Sequence, residues 1–264
     1  MKALTRFTIL AVVLVLLGCA NKGPGALTSQ VELPTQSDRT SDQRRAQIRL
    51  ELAVDYYQQH QLPVALDEIK KALQADPDLS DAYGVRALIY MDMGETQLAD
   101  ENFGRAIRLA PNNPDLTNNY GWFLCQNGRA AESIGYFEAT LKSRSYQYPS
   151  KALNNAGLCS LKLKNPVAAE RYFKQAFQFD PGNASAALNL AKIHYDRKEY
   201  ERAQFYTGRL LKSDEFSAEI LWLAVKSEHK LNDRMAEASL GTQLRRRFPT
   251  SPETAAYLRG AFDE

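Results

Sequence analysis

The spacing of apolar residues divides the chain into three stretches of different pattern. An apolar run, with one threonine in it, extends from Phe7 to Leu17. A polar stretch rich in Gly, Pro, Ser, Thr, Gln and Asn follows from Ala20 to Asp42 and has no apolar periodicity. From about Ala46 onward, small and apolar residues return at helical intervals, in a pattern that repeats every 34 residues. We therefore predict a helical body after an irregular N-terminal part.

Six units of this pattern can be counted, beginning near residues 46, 80, 114, 150, 184 and 219. Small residues in each unit would let two antiparallel helices approach closely, aromatic residues would fill the space between units, and a proline would end the pair. The second unit shows the full set, which is Tyr83, Ala87, Tyr90, Ala99, Phe103, Ala106 and Pro111. Period and pattern are those of tetratricopeptide repeats. The predicted fold class is therefore all-α, a superhelical solenoid of about six helix pairs with a concave inner surface.

Three units depart from the full pattern. In the third, Ser133 replaces the usual alanine and the exit loop is two residues longer. The fifth lacks its closing proline, and the sixth keeps Trp222 and Ala238 and ends at Pro249. The predicted organisation is a signal peptide at 1–18, a tether at 19–44, the repeats at 45–251, and a capping helix or frayed tail at 252–264.

The N-terminal run predicts export and lipid attachment. Two cations followed by eleven mostly apolar residues are typical of a signal peptide, because a membrane-spanning helix needs about 20 apolar residues. The sequence from Leu16 to Cys19 resembles the lipobox of bacterial lipoproteins. The resemblance implies cleavage before Cys19 and acyl chains on that residue, which would be the sole membrane anchor. Ala20 in place of an aspartate implies the outer membrane.

Charge and motif content argue against nucleic acid binding and catalysis. Loss of Lys2 and Arg6 leaves 31 Lys plus Arg against 31 Asp plus Glu, so no basic excess could neutralise phosphates. No two histidines have metal-ligand spacing, and no glycine-rich phosphate loop occurs. His194 and His229 fall where first helices usually carry tyrosine, which predicts packed rings, and His60 falls in a turn. We predict no enzyme, no metal site and no cofactor.

The repeat register predicts a partner-binding groove on the first helices. The residues that it places on the concave face are Val54, Tyr57, Leu88, Met91, Asn118, Trp122, Gln126, Asn154, Leu158, Leu161, Lys192 and Tyr195. Such a groove suits an extended peptide or an amphipathic helix, with Trp122 at its centre. The alternative is that Leu88, Leu158 and Leu161 pack onto neighbouring helices because the register differs by one residue.

Cys125 and Cys159 fall late in the first helices of the third and fourth units. Successive first helices are neighbours in a solenoid, so the two residues could come within disulfide range, and an exported chain meets an oxidising compartment. We therefore predict a disulfide between them. The alternative is a pair of free, buried thiols that fill helix contacts.

The third unit contains the segment Asn-Asn-Tyr-Gly-Trp-Phe-Leu-Cys at 118–125, and the fourth contains Leu-Asn-Asn-Ala-Gly-Leu-Cys at 153–159. With the lipobox, the tether and the long third loop, these segments make the chain resemble the type IV pilus biogenesis lipoproteins of the PilF/PilW type. The resemblance implies an outer-membrane lipoprotein on the periplasmic face, with the pilus secretin and other assembly components as partners. Some members act as pilotins that help the secretin to reach its membrane and multimerise. The alternative is an outer-membrane scaffold for cell-wall hydrolases or barrel-protein assembly.

Overall fold

The computed structural model describes residues 39–213 and 216–263 of the 264-residue chain. The predicted signal peptide, most of the predicted tether and Cys19 lie outside the described residues. Within them the regular secondary structure is helical and comprises α1 (Ser41–Gln58), α2 (Leu62–Ala75), α3 (Ser80–Asp92), α4 (Thr96–Leu109), α5 (Pro114–Gln126), α6 (Ala130–Lys142), α7 (Pro149–Lys162), α8 (Pro166–Phe179), α9 (Ala184–Asp196), α10 (Tyr200–Leu210), α11 (Ala218–Leu231), α12 (Arg234–Arg247) and α13 (Pro252–Arg259). The predicted all-α class is confirmed.

The first helix begins at Ser41, four residues before the predicted start of the repeats. Thr40 is the reason, because its Oγ1 accepts a hydrogen bond from the backbone N–H of Gln43 at 3.2 Å. In return, Oε1 of Gln43 accepts one from the backbone N–H of Thr40 at 3.0 Å. This capping box satisfies two N–H groups that would otherwise lack partners at the helix start. The helix therefore starts before the first position of the repeat and includes the last residues of the predicted tether.

Each repeat is a helix hairpin whose turn contains one residue with positive φ. These residues hold the fifteenth position of every repeat, and they are His60, Gly94, Gly128, Lys164, Lys198 and Asn232, with φ between 55° and 81°. A left-handed residue ends the first helix and reverses the chain direction. The interval between them is 34 residues, except for 36 residues between Gly128 and Lys164. The insertion therefore lies between the third and fourth turns, in the longer loop from Ser143 to Tyr148.

The core follows the small and large positions of the repeat. The twentieth position carries residues that are completely buried, namely Ala65, Ala99, Ser133, Ala169 and Ala203. The twenty-fourth position carries the completely buried rings of Phe103, Phe137 and Phe173 in repeats 2 to 4. Small residues let paired helices approach closely, and the rings fill the remaining space. This alternation is the one that the sequence predicts.

The sixth repeat begins one residue earlier than the sequence pattern indicated. Asn232, at the fifteenth position, sets the start at 218 rather than 219. Ala238, predicted as a small core residue, is therefore exposed, and Gly241 and Leu244 are the buried residues of α12. The error arose because Glu237 holds the position that is alanine in most other repeats, so the nearest alanine misled the register. The same shift moves His229 off the usual tyrosine position.

The aromatic ring missing from repeat 6 comes from α13. Gly241 holds the twenty-fourth position there, and a Cβ atom at this glycine would lie 2.2 Å from Cζ of Tyr257. The ring of Tyr257 therefore occupies the space that phenylalanine fills in repeats 2 to 4. Of the two alternatives for the C-terminal stretch, the structure has the helix, which closes the last repeat as a terminal cap does in solenoids.

The helices form two rows. Successive odd-numbered helices from α1 to α11 contact each other as well as their own partners, whereas no two successive even-numbered helices do so in the described part of the chain. The odd row therefore lies on the inside of the curve and the even row on the outside. A surface made of first helices is the one that a partner would meet inside the solenoid.

Candidate functional site

The candidate site is the inner face, which we define by the second, fifth, ninth, twelfth and thirteenth positions of each repeat. Apart from Asn118, which holds a fifth position but is buried, the predicted groove residues at these positions are Val54, Tyr57, Leu88, Met91, Trp122, Gln126, Asn154, Leu158, Leu161, Lys192 and Tyr195. Gln126 is exposed and the others are half-buried. The structure thus brings them onto one row of helices. Their role in binding stays a prediction.

The centre of the inner face is apolar. Trp122, Leu158 and Leu161, which we call the apolar centre, pack against the core cluster around the two cysteines while remaining half-buried. Leu88 and Met91 pack in the same way against the cluster of the preceding repeats. A residue can therefore belong both to the groove and to the packing of the fold. One side of each of these side chains packs against a core cluster, and the other side remains accessible to a partner. Side chains that are already held by packing lose little freedom on binding, which favours affinity.

Asn118 does not face a partner, contrary to the prediction. It is only 1% exposed. Its Oδ1 accepts a hydrogen bond from Nδ2 of Asn155 at 3.3 Å, and its Nδ2 donates one to Oδ1 of Asn119 at 3.2 Å. A buried amide needs partners, and Asn155 on α7 provides one across the helix contact. Asn118 therefore links α5 to α7 and is not a contact residue of the groove.

A disulfide also joins these two helices, between Cys125 of α5 and Cys159 of α7, whose Cα atoms are 5.8 Å apart. Both residues are buried, at 1% and 0% exposure. The bridge closes a loop of 34 residues that includes the inserted segment. It holds the first helices of repeats 3 and 4 together beside the apolar centre, and so fixes the part of the inner face that carries Trp122.

Acidic residues occupy the inner face before the apolar centre. Asp81 and Asp92 stand at the two ends of α3, and Asp115 stands at the start of α5; we call these three the acidic side. Desolvation raises the pKa of Asp81, and the negative charge of Asp115 raises it further, against a hydrogen bond from Asn113. Asp92 accepts a hydrogen bond from the Tyr57 hydroxyl at 2.7 Å. Among the described residues, none of the three forms an ion pair.

Basic residues occupy the inner face after the apolar centre. Lys151 and Lys162, exposed at the two ends of α7, form what we call the basic side. Nζ of Lys162 donates hydrogen bonds to Oε1 of Gln126 at 2.7 Å and to the carbonyl oxygen of Cys125 at 3.4 Å. No carboxylate of the described ranges pairs with either lysine. The acidic and basic sides were not predicted from the sequence. Both can be located there once the first residue of each repeat is known.

The inner face of repeats 5 and 6 also carries cations, but the chain itself satisfies them. Nζ of Lys192 lies 2.5 Å from Oε1 of Glu219. Lys230 pairs with Asp263. The ammonium group of Lys226 lies over the rings of two aromatic residues, 5.1 and 5.7 Å from their centroids, and burial lowers its pKa. The lysines of this part of the inner face therefore have partners within the chain, whereas Asp196 is exposed and forms no ion pair with another described residue.

Residues 260–263, which follow α13 and which we call the closing segment, cover the inner face of repeat 6. The Phe262 ring stacks on His229 with centroids 3.8 Å apart and lies 5.5 Å from the Trp222 ring. The hydroxyl of Tyr195 donates a hydrogen bond to the carbonyl oxygen of Phe262 at 3.3 Å. Trp222 is consequently only 8% exposed. Its place on the inner face is filled by the chain's own C-terminal residues.

A cavity of about 480 Å³ lies beside the inserted loop. Its lining includes Lys151, Asn154 and the rings of Tyr148 and Phe179, which are 62% and 66% exposed. Oδ1 of Asn154 is buried and has no hydrogen-bond partner in the described residues. Sequence reasoning did not find this cavity, although the two-residue insertion was the available signal.

The histidines have structural partners. Nδ1 of His194, which is 1% exposed, lies 2.7 Å from Oε2 of Glu199, and its ring stacks on Tyr206. Nδ1 of His229 lies 3.1 Å from Oε2 of Glu237. Among the described residues, no group of three His, Cys, Asp or Glu could hold a metal ion. In the same ranges, every helix is too short or too polar to span a bilayer.

Comparison with protein families identifies the repeats. One tetratricopeptide-repeat model matches residues 85–148 and 126–184, and a second model of that description matches residues 160–224. Together they span more than half of the chain. Tetratricopeptide-repeat families are protein-interaction folds.

Individual relatives and structures extend the likeness beyond the repeats. The type IV pilus assembly protein PilF of Pseudomonas aeruginosa is 30% identical over 229 residues, which are 87% of this chain and 90% of that protein. The crystal structure of PilW, described as a widely conserved type IV pilus biogenesis factor, has 31% identity and a TM-score of 0.72, over 81% of this chain and 98% of PilW. The structure of Pseudomonas aeruginosa PilF has 28% identity and a TM-score of 0.77, over 84% of this chain and all of that chain.

Proposed function

Since the chain belongs to the family of type IV pilus biogenesis proteins that includes PilF and PilW, we propose that it is an outer-membrane lipoprotein that holds pilus assembly components on its inner face. The observation that supports this most is the open inner face of repeats 2 to 4. There, half-buried apolar side chains and unpaired charges lie side by side, and a disulfide joins two of the three helices that carry them. Such a surface suits binding of a protein segment rather than catalysis.

The proposed anchor is the lipid on Cys19. No other segment of the sequence after residue 19 is long and apolar enough to enter a bilayer. Cys19→Ala should therefore release the protein from the membrane fraction into the soluble periplasmic fraction. A high-salt wash removes proteins that are held by charge alone, since salt screens surface electrostatics. Retention of the variant after that wash would mean that the anchor lies elsewhere.

The proposed partners are the pilus secretin and other assembly components. Deletion of the chain should abolish pili and reduce the amount of multimeric secretin in the outer membrane. Capture of the intact lipoprotein from detergent-solubilised envelopes should bring down secretin or pilus components. Normal pili in the deletion strain would refute the proposal. Recovery of cell-wall hydrolases or barrel-assembly proteins would instead favour a scaffold of the envelope, which is the alternative function.

Trp122 tests whether the inner face is the surface involved. Trp122→Ala should weaken capture of the partner by about 2 kcal/mol, because large aromatic residues in the middle of an interface commonly dominate its affinity. Phe205→Ala is the matched control, since Phe205 is a 54% exposed ring on α10, in the outer row. Equal binding by the two variants would exclude the apolar centre as the contact.

A further inference from the structure

The charges of the inner face are separated by sign along the solenoid. The acidic side lies on α3 and α5, the basic side lies on α7, and the apolar centre lies on α5 and α7 between their ends. On the five residues of the two charged sides, no ion pair forms within the described part of the chain. Across α3, α5 and α7 the charged residues thus change from negative to positive, while an apolar band, formed by Leu88 and Met91 of α3 together with the apolar centre, lies between the helix ends.

This separation is a property of repeats 2 to 4 and not of the whole inner face. In repeats 5 and 6, Lys192 pairs with Glu219 and Lys230 pairs with Asp263. The contrast there is one of degree, since these lysines have partners within the chain and Asp196 is exposed without an ion pair in the described ranges.

Two carboxylates of the acidic side repel each other, and a positive charge placed near them would offset that repulsion. Asp81 is exposed and accepts a hydrogen bond from Asn113, but partial desolvation of its carboxyl group and the nearby negative charge of Asp115 still raise its pKa. Like charges that lie close together disfavour ionisation, and an added positive charge restores it. A lysine or arginine of a partner would fit between these carboxylates better than any apolar or acidic side chain.

We propose that the inner face of repeats 2 to 4 binds one protein segment in a fixed charge order, with a basic residue on the acidic side, an apolar residue on the apolar centre, and a carboxylate on the basic side. This rests on the proposed function in taking the inner face as the partner surface. It adds the chemistry of the segment and the order of its charged residues. Complementary charge fixes register and excludes partners of the opposite order, which would place like charges together.

The helix spacing sets the length of the segment. Packed helices lie about 8 to 10 Å apart, so the crossing from α3 to α7 covers about 20 Å. An extended chain advances about 3.3 Å per residue, and the basic and acidic residues should therefore be about six positions apart. The apolar residue should lie between them.

Selection of peptides tests the charge order without knowledge of the natural partner. The probe is a phage-displayed random library of about twelve residues per peptide, long enough to cross the three helices. The target is the full-length protein in detergent. Selected peptides should contain a cation, an apolar residue and a carboxylate at the stated spacing. The variant with Asp81→Lys, Asp115→Lys, Lys151→Glu and Lys162→Glu should select the reversed order and bind the original peptides about tenfold more weakly.

Two further variants separate charge order from misfolding and from general charge effects. The amide variant, with Asp81→Asn, Asp115→Asn, Lys151→Gln and Lys162→Gln, keeps the side-chain shapes and should select apolar peptides without charge order. The control, Lys192→Glu with Glu219→Lys, exchanges a paired couple in repeats 5 and 6 and should leave the selected order unchanged. Circular dichroism verifies that each variant is folded.

The proposal is overturned if no peptide is enriched, if the selected peptides lack a charge order, or if the exchange of charges leaves that order unchanged. Its failure is distinct from failure of the proposed function. Loss of pili in the deletion strain together with selections lacking charge order would refute only the charge order. Normal pili in the deletion strain would refute the pilus function, whatever the peptides show.

Discussion

The two tryptophans of the chain lie on the same inner face in opposite circumstances. Trp122 in repeat 3 is half-buried, and Trp222 in repeat 6 is 8% exposed beneath Tyr257 and Phe262. Both are supported by the helices of their own repeats. The difference is that the chain continues over Trp222 and leaves Trp122 uncovered.

The comparison teaches that a repeat position does not by itself determine a role. A first helix presents an apolar stripe inward in every repeat, and that stripe becomes core where another segment covers it. In repeats 5 and 6 the closing segment covers this stripe. The Phe262 ring stacks on His229, the Phe262 carbonyl oxygen accepts a hydrogen bond from Tyr195, and the Asp263 carboxylate pairs with Lys230. In repeats 2 to 4 no segment of the described chain does so, and these same three kinds of contact are available to a partner.

The largest expected effect comes from the covered tryptophan. Trp222→Ala should lower the free energy of unfolding by about 3 to 5 kcal/mol, the usual cost of removing a buried large aromatic side chain. Trp122→Ala should cost less than Trp222→Ala, because Trp122 is less completely buried. Urea denaturation followed by circular dichroism measures both. Equal costs would show that Trp122 is core, and the contrast between the two regions would fail.

The disulfide should have the next largest effect, and it acts on the open region alone. Replacing Cys125 and Cys159 by serine should cost about 3 kcal/mol in the free energy of unfolding, since the bridge closes a 34-residue loop of the unfolded chain. Reduction of the unaltered protein should give the same loss. Thiol labelling of exported, denatured and unreduced protein that lacks Cys19 is the direct check. Two reactive thiols per chain would mean that the cysteines are free.

The regular part of the fold could be predicted because its determinants are local in sequence. Fully buried residues such as Ala99 and Phe103 recur at the positions that helix pairing requires, and the 34-residue interval is visible without any structure. The predicted start of the sixth repeat was wrong by one residue, because Gly241 and Glu237 stand at the positions where most other repeats carry a phenylalanine and an alanine. Tyr257, which compensates for Gly241, lies in a different helix. No periodicity within the repeat could reveal a compensation that comes from outside it.

Truncation of Phe262, which covers Trp222, tests the same comparison by exposing the covered tryptophan. Phe262→Ala should cost about 1 to 2 kcal/mol, less than a fully buried ring, because Phe262 is half-buried. It should also expose Trp222 and shift its fluorescence to longer wavelength. Trp122→Phe provides the background in which Trp222 is the sole tryptophan. Unchanged emission would mean that Phe262 does not cover Trp222 in solution.

The candidate site could be predicted only in part. The register placed Trp122, Leu158 and Leu161 on one face, and the structure puts them together at the apolar centre. It misplaced Asn118, because the choice between facing a groove and bonding Asn155 depends on a hydrogen bond between two helices. The cover over repeats 5 and 6 lay beyond prediction for the same reason, since it depends on contacts of the last residues with α11.

The smallest expected effect on stability is that of Asp81→Asn, which should change stability and peptide binding in opposite directions. Desolvation and the charge of Asp115 raise the pKa of Asp81 in the folded protein. A carboxyl group whose folded pKa is raised stabilises the fold below its unfolded pKa, about 3.9, and this contribution is lost as pH rises through the folded value. At neutral pH the ionised Asp81 is therefore unfavourable for folding, and Asp81→Asn should stabilise the protein by a few tenths of a kcal/mol after solvent screening.

The same substitution should weaken binding of a charge-ordered peptide, so stability and binding would move in opposite directions. Asparagine can still accept the hydrogen bond that Nδ2 of Asn113 donates to Asp81 at 3.1 Å. Asp92→Asn is the matched control, because Asp92 belongs to the same acidic side but accepts a hydrogen bond from the Tyr57 hydroxyl. It should weaken binding without any gain in stability.

Thermal unfolding at pH 7 and pH 3 measures the effect of Asp81→Asn on stability. At pH 3 the aspartate is protonated and the repulsion is gone. A stabilisation that persists undiminished at pH 3 would therefore contradict the electrostatic cause.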